Sequence, residues 1–322
     1  MQRKTFLALA LQTLASVAMA QAPADPAKRL WLVVPWPAGG PVDGSARVIG
    51  ERLGGDLGKT VLVDNKPGGS GNIGAGMVAK AAADGNTLLY TTSALLMNAA
   101  LRGTTGPKVT EGLVPVARIG NTPSVLVASA ASGFTSVADL LKAARAKPGV
   151  ITFASGGNGS PGHFGGELLA FKTKTKLLHV PYKGGPPALN DMLAGLVDVY
   201  FAPASVVAPH VKSGKLQALA VTSDKRLADF PHAPTMAEAG VSDFKINQWM
   251  GVFAPKGTPV PVLEKLATSL SAILQKPDTR AALAKQGIEV NIDVSQAKFA
   301  EEVAQDMRHW NELAAAADIR AD

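Results

Sequence analysis

Leu30-Trp31-Leu32-Val33-Val34-Pro35-Trp36-Pro37-Ala38-Gly39-Gly40-Pro41-Val42-Asp43 carries an apolar strand straight into a loop of prolines and glycines. A helix follows from Asp43 to Leu57, with Ala46, Val48, Ile49 and Leu53 at helical spacing. Val61-Leu62-Val63 reads as a second strand. Residues 73–83 read as a second helix packed through alanine and glycine, and Thr87-Leu88-Leu89-Tyr90-Thr91 as a third strand. Strands that are apolar on both faces, alternating with helices, predict an α/β fold with a buried parallel sheet.

The alternation continues outward from that run. Val116 to Ala128 reads as one extended strand leaving the first lobe. Val137 to Ala146 is a helix capped by Ser136, Ile151 to Ala154 a strand, and His163 to Phe171 a helix. Leu177 to Val180, Pro186 to Ala194, Val197 to Phe201 and Leu216 to Thr222 extend the pattern, and Trp249 to Ala254 reads as the returning strand. Pro259 to Leu274 is a long helix with Leu263, Leu266, Leu270 and Ile273 in register. A shorter one runs from Pro277 to Lys285, and Ser295 caps the last, which ends near Ala316. With no internal repeat, the expected organisation is two lobes, residues 28–124 with 250–322 and residues 125–249. Two crossings between them would form a hinge over a central cleft.

Composition narrows the class. Arg3 and Lys4 precede the apolar stretch Phe6–Met19, and Ala18-Met19-Ala20 is a small-x-small pattern, so residues 1–20 read as a secretory signal peptide cut after Ala20. The stretch is shorter than the roughly 20 apolar residues a spanning helix needs. The chain has no cysteine, which rules out disulfides, cysteine-ligated metal and a lipidated N-terminal cysteine. An exported chain without a lipid anchor points to a Gram-negative periplasm. The net charge is +7, and loss of the leader removes two basic residues and no acid, leaving +5. The basic residues are scattered and aromatics do not interleave with them, so no nucleic-acid partner is expected.

Three glycine-rich loops each join a strand to a helix: Pro35 to Asp43, Asn65 to Gly74 and Ser155 to His163. Glycine permits close backbone approach and positive φ. A helix start offers free amides along a favourable dipole, and so receives an anion without a cationic side chain. Gly40 is the position where an added Cβ is expected to collide with a ligand and to oppose the backbone. Asp43 is the expected N-cap of the first helix, with a second use as acceptor from bridging water. Arg47 is expected in an ion pair, and Trp36 as either a cleft wall or a hydrophobic staple.

Two enzyme readings compete. Gly69, Gly71 and Gly74, and again Gly157, Gly159 and Gly162, match G-x-G-x-x-G, but the strands that follow end without the acidic residue that would hold a ribose. A hydrolase could draw on Ser160 and His163 with Asp191 or Asp198, yet there is no G-x-S-x-G elbow. The five histidines lack metal-ligand spacing, and no cofactor is expected.

The segment Pro37-Ala38-Gly39-Gly40-Pro41-Val42-Asp43-Gly44-Ser45-Ala46-Arg47 resembles the P-x-G-G-x-x-D-x-x-A-R signature of the substrate-binding receptors of tripartite tricarboxylate transporters, the Bug family. Residues 64–71, 83–89, 179–184, 234–240 and 254–259 resemble further motifs of that family in the same order, over essentially the whole mature chain. The resemblance implies a two-lobed type II periplasmic-binding-protein fold, no enzymatic activity, a small organic carboxylate as ligand, and integral membrane transporter subunits as partners of a monomeric receptor. It implies ligand contacts at Ala38, Gly39, Gly40 and Asp43 in the first loop and at Gly69, Ser70, Gly71 and Asn72 in the second. Ser155, Gly157, Ser160 and His163 would face them from the other lobe, with Tyr182, Lys183 and Asp198 as wall residues. The chain departs from the family pattern at Val42, where a hydroxyl is common, at Asn86, where an aromatic is usual, and in 102–112, which lacks a Y-D segment.

Overall fold

A computed structural model describes residues 29–102, 109–244, 246, 248–290, 295–317 and 319. The expected leader, most of 102–112 and the outer limits of the first lobe at 28 and 322 lie outside the described residues. Among the described residues no helix is long and apolar enough to cross a membrane.

The opening run forms β1 (Arg29–Val34), α1 (Pro41–Leu57), β2 (Thr60–Asn65), α2 (Asn72–Ala79) and β3 (Thr87–Thr92), and β1 pairs in parallel with both β2 and β3. α2 ends sooner than the reading over 73–83, where the Lys80 amide turns to the carbonyl of Met77. An unread helix follows, α3 (Ala94–Arg102), then β4 (Leu113–Asn121), β5 (Ser124–Ser129), α4 (Val137–Ala146), β6 (Thr152–Ser155), α5 (Pro161–Thr173), β7 (Leu178–Pro181), α6 (Gly185–Leu193) and β8 (Val199–Pro203). A second unread helix, α7 (Ala204–Lys212), precedes β9 (Leu216–Val221), β10 (Trp249–Pro255), α8 (Val260–Gln275), α9 (Pro277–Ala284), β11 (Glu289–Val290) and α10 (Gln296–Ala316). The sequence Ala-Leu-Leu-Met-Asn-Ala-Ala-Leu-Arg of α3 has almost no polar face to set a period, and α7 carries Pro209 inside it.

The strands form two sheets, β11-β4-β10-β3-β1-β2 and β7-β6-β8-β5-β9. Both are mixed rather than wholly parallel. β10 runs antiparallel to β3 and β4, and β5 antiparallel to β8 and β9, whereas β6 is parallel to β7 and β8. The single strand read over 116–128 is two strands in different sheets. The break falls at Thr122-Pro123, because proline has no amide hydrogen to continue a ladder. The Thr122 amide instead donates to Gln248 O at 2.8 Å, which ties the two crossings together, and Ala204 N donates to Pro123 O at 2.9 Å.

One apolar cluster lies against the first sheet, built on Leu30, Leu32, Ile49, Leu53 and the buried face of α8. A second fills the far side of the other sheet, and a third spans both lobes, joining Leu89, Phe253 and Phe299 to Phe153, Phe164 and Phe201. Trp310 of α10 packs edge-on to Phe164 of α5, with ring centroids 5.4 Å apart, so the last helix bears on both lobes.

Gly166 marks where this packing is tightest. A Cβ there would lie 2.2 Å from the Phe153 ring, which is buried and stacked at 4.8 Å on His179. Alanine would gain about 1 kcal/mol of helix propensity, but overpacking a ring that cannot turn away costs about 1–3 kcal/mol. Gly166→Ala should therefore lower the urea unfolding midpoint. A raised midpoint would show that the Phe153 ring gives way.

Candidate functional site

The carboxyl ends of β1, β2 and β3 and those of β6 and β8 lie at the end of each sheet where the chain crosses between lobes. This follows from pairings that set Trp249 against Asn121 and Ser124 against Pro203. The three glycine loops therefore open toward one interlobe gap, the usual place for a ligand in open α/β sheets.

In the first loop the N-cap of α1 is Gly40, with no side-chain cap, and Asp43 is not the N-cap the sequence suggested. Asp43 stands in the first turn and reaches back, its Oδ2 accepting from the Gly39 amide at 2.9 Å and from Arg47 Nε at 3.1 Å, while Arg47 Nη2 lies 3.0 Å from Oδ1. Burial pushes the Asp43 carboxyl up, but the bond from Arg47, with Gly39 and Asn65, outweighs it and holds the group below its ordinary value. Arg47 is thus in the ion pair expected of it. The amides of Val42 and Asp43 head the helix with no preceding turn to satisfy them. The demanding backbone is at Gly39, φ +85°, and not at Gly40, whose φ of −85° suits any residue. Trp36 forms a floor under the second loop: its ring would meet a Cβ on Gly71 at 3.5 Å, and its carbonyl accepts from Asn65 Nδ2 at 3.1 Å.

The second loop is a run of four positive-φ residues, Gly68, Gly69, Ser70 and Gly71, which lead into α2 through a short 3-10 turn. Ser70 at φ +54° is the one non-glycine among them. Its Oγ donates to Asn158 O in the third loop at 3.3 Å, a bond between lobes.

The third loop is built around histidine. Ser160 is the N-cap of α5 and accepts from the His163 amide at 3.4 Å, while His163 Nδ1 accepts from the Gly159 amide at 3.2 Å. The ring proton is then on Nε2, which faces Glu167 at 3.9 Å. The Ser160 hydroxyl thus meets the His163 amide, an arrangement that caps a helix and does not activate a nucleophile. His163 stacks on His179 at 4.1 Å, and His179 Nε2 lies 2.6 Å from Ser155 Oγ, which also accepts from the Gly157 amide at 3.0 Å. Burial, with repulsion from the stacked His163 ring whenever that ring is protonated, pushes the His179 imidazole down to about 3, which makes it a poor base.

Of the wall residues, Tyr182 lies beside the third loop, its amide donating to Ser155 O at 3.0 Å and its hydroxyl to Asp191 at 2.7 Å. Lys183 follows it and is exposed. Asp198 does not reach the cleft. It precedes β8 and accepts from the amide and hydroxyl of Thr152, both at 2.8 Å, at the end of the sheet opposite the third loop. Residue spacing could not show this, because parallel strands put their starts and their ends on opposite faces of the lobe.

The sequence reading missed two cleft-side residues, Asn98 on α3, which contacts the second and third loops, and Ser93; Ser93 Oγ, like Nε1 of Trp36, is a buried polar atom without a hydrogen-bond partner among the described residues. The hydroxyl run Thr91-Thr92-Ser93, directly after a buried strand, was the available signal for Ser93. A cavity of about 680 Å3 borders the crossings, lined in part by Arg118, Thr122, Phe244, Gln248 and Glu289, and none of the three loops lines it. No group of three or more histidine, aspartate or glutamate side chains is placed to hold a metal among the described residues.

Two lobes joined by a hinge, with helix starts and glycine loops facing a shared cleft, define a solute-binding protein of the periplasmic-binding-protein type. Residues 45–318 match the family described as tripartite tricarboxylate transporter family receptor, and the chain belongs to that family. It is 39% identical over 289 residues to a UPF0065 protein from the tcbD-tcbE intergenic region of Pseudomonas sp. strain P51, covering 89% of this chain and 86% of the relative. Among solved structures it is similar to Rpa4515 of R. palustris with adipate, with TM-score 0.81 and 34% identity over 91% of this chain and 98% of that one. It is also similar to MatC from Rhodopseudomonas palustris with bound malate, with TM-score 0.80 and 28% identity over 90% and 99%.

Two outcomes follow from these contacts. Asp198→Ala should cost about 1–3 kcal/mol of stability through the stranded Thr152 donors and leave ligand affinity unchanged by calorimetric titration. His179, with a folded value near 3 against an ordinary 6.5, stays neutral where the unfolded chain takes up a proton. Stability is therefore fully present above pH 6.5 and is lost as pH falls from there toward 3. Urea midpoints of the wild type should fall more steeply between pH 7 and 4 than those of His179→Phe; parallel curves would contradict this.

Proposed function

We propose that this chain is a periplasmic receptor that captures a small organic carboxylate, foremost a dicarboxylate, between its lobes and hands it to the membrane subunits of a tripartite tricarboxylate-type transporter, acting as a monomer and without catalysis. The observation that carries this reading is an anion site with no free cation in its loops. Arg47 is paired with Asp43, and Lys66 Nζ with Asp64 at 3.2 Å, so the charge of a ligand would fall on backbone amides at the head of α1 and in the second loop. Adipate and malate in the two similar structures support a dicarboxylate. The leader-like sequence of residues 1–20 supports export.

One ligand carboxylate sits on the amides of Ala38, Gly40, Val42 and Asp43 and of Gly69 and Ser70, whereas the Gly39, Gly71 and Asn72 amides are already bonded to Asp43, Gly68 and Gly69 and shape the two loops. Ser155, Gly157, Ser160, His163, Tyr182 and Lys183 close over it from the second lobe, while Asp198 has no part. The lobes are residues 28–124 with 250–322, and 125–249. The enzyme alternative finds no support: the Ser155–His179 pair is half-buried with its imidazole poorly basic, and Ser160 is spent on capping.

A thermal-shift screen of dicarboxylates, tricarboxylates and amino acids on the mature protein tests the proposal, since a ligand that binds only the folded state raises its melting point. Hits should be recovered chemically unchanged. Gly40→Val is the sharpest probe of the amide site, because its nearest neighbour would be Pro37 O at 3.9 Å and the fold accepts it. Affinity should drop tenfold or more, about 1.4 kcal/mol, while Lys66→Ala changes little. The reverse pattern, or turnover of any hit, would overturn the reading.

A further inference from the structure

Asn98 is a polar side chain set in a helix that is otherwise almost wholly apolar, and it is 1% exposed. Burying an amide is unfavourable unless it is hydrogen-bonded. Here the bonds go to three carbonyls. Asn98 Nδ2 lies 3.0 Å from Ala94 O in its own helix, 3.0 Å from Ser70 O in the second loop and 3.3 Å from Gly159 O in the third. The last two belong to opposite lobes, and neither loop reaches the other through a charged pair.

The loops are shaped to this side chain. Gly159 stands at φ +77°, and a Cβ there would lie 2.3 Å from Asn98 Oδ1, so no larger residue fits against the amide. Ser70 holds a left-handed backbone that an L-residue adopts at a cost, and in that conformation its carbonyl meets Asn98 while its Oγ meets Asn158 O. Asn98 belongs to the first lobe, since α3 connects β3 to β4 of the first sheet, and Gly159 to the second, since it follows β6, so a rotation that opens the cleft at these loops carries them apart.

We propose that Asn98 is a positioning residue: an interlobe latch that donates to backbone on both sides of the cleft and sets the balance between open and closed forms. The consequence for affinity rests on the receptor reading above. The latch engages carbonyls of the protein and not the ligand, so its loss should weaken every acid by the same factor. A residue that touches ligand would instead change the ranking of acids. A conformational bias lowers apparent affinity in proportion to the competent fraction.

The chain has no cysteine, so spin labels can be placed at Lys80→Cys and Lys172→Cys, exposed sites on the two lobes, without background. Pulsed electron paramagnetic resonance then reads the interlobe distance in the wild type, Asn98→Ala and Asn98→Asp. Without ligand, the closed population should fall in Asn98→Ala and fall further in Asn98→Asp, whose carboxylate cannot donate and faces three carbonyls. With adipate and with malate, Asn98→Ala should raise Kd by about five- to tenfold, equally for both, as expected for one lost hydrogen bond of ordinary strength. Unchanged distances would overturn the latch, and so would a factor that differs clearly between the two acids. Should the wild type bind no carboxylate, the receptor reading fails, and the ligand-free distances still decide the latch. Should Asn98→Ala not fold, Gly159→Ala crowds the same contact from the other lobe and is read in the same way.

Discussion

Pro123 has no amide hydrogen, and the architecture turns on that missing donor. A strand running from Val116 to Ala128 would be a continuous ladder in one sheet. With the ladder interrupted, β4 stays beside β10 while β5 starts afresh between β8 and β9. The crossing therefore sits at the end of both sheets where the parallel strands finish. Thr122 N donating to Gln248 O binds the outward and returning chains into one joint. Every loop that follows a parallel strand then opens onto the same gap, so the geometry of capture is set by where the chain changes sheet.

The electrostatics of the gap follow from a second restriction. A cation in the loops would bind carboxylates strongly, but Lys66 within the second loop and Arg47 just after the first are paired with Asp64 and Asp43, and Lys183 lies outside the three loops. What remains is oriented backbone dipole, which charges no desolvation penalty of the size an ammonium group would. Asp43 serves this arrangement indirectly. By holding the Gly39 amide and the Arg47 guanidinium it fixes the loop, and its own negative charge is cancelled beside the place where an anion would arrive.

Much of this was legible in the sequence because glycine, proline and capping chemistry act locally. The opening strands, the three loops, Ser136 and Ser295 as caps, and the Arg47 pair are relations within a few residues, whereas Ser160, read as an anion donor, proves to be the N-cap of α5. What was not legible depends on partners far along the chain. His179 meets Ser155 and His163 only after β7 pairs with β6, and Asn98 meets Gly159 only when two lobes come together. Asp198 was misplaced for the same reason: its position beside a strand was clear, but which end of that strand faces the cleft was not. α3 was missed because an apolar helix buried all round has no period to read.

The three loops differ in what holds them, and the difference bears on how a ligand acts. The first is fixed within its lobe by Asp43, and the third within its lobe by Ser155, Ser160 and the stacked histidines. These bonds lie within one lobe and need no ligand to form, which lowers that part of the entropic cost of capture. The second loop, with four successive positive-φ residues, leans instead on contacts that cross the gap, Ser70 to Asn158 and Asn98 to both sides. It is the element whose conformation and the lobe angle depend on each other. A carboxylate seated on its amides would steady the loop in the shape that meets the opposite lobe, and this links occupancy to closure through a single segment of backbone.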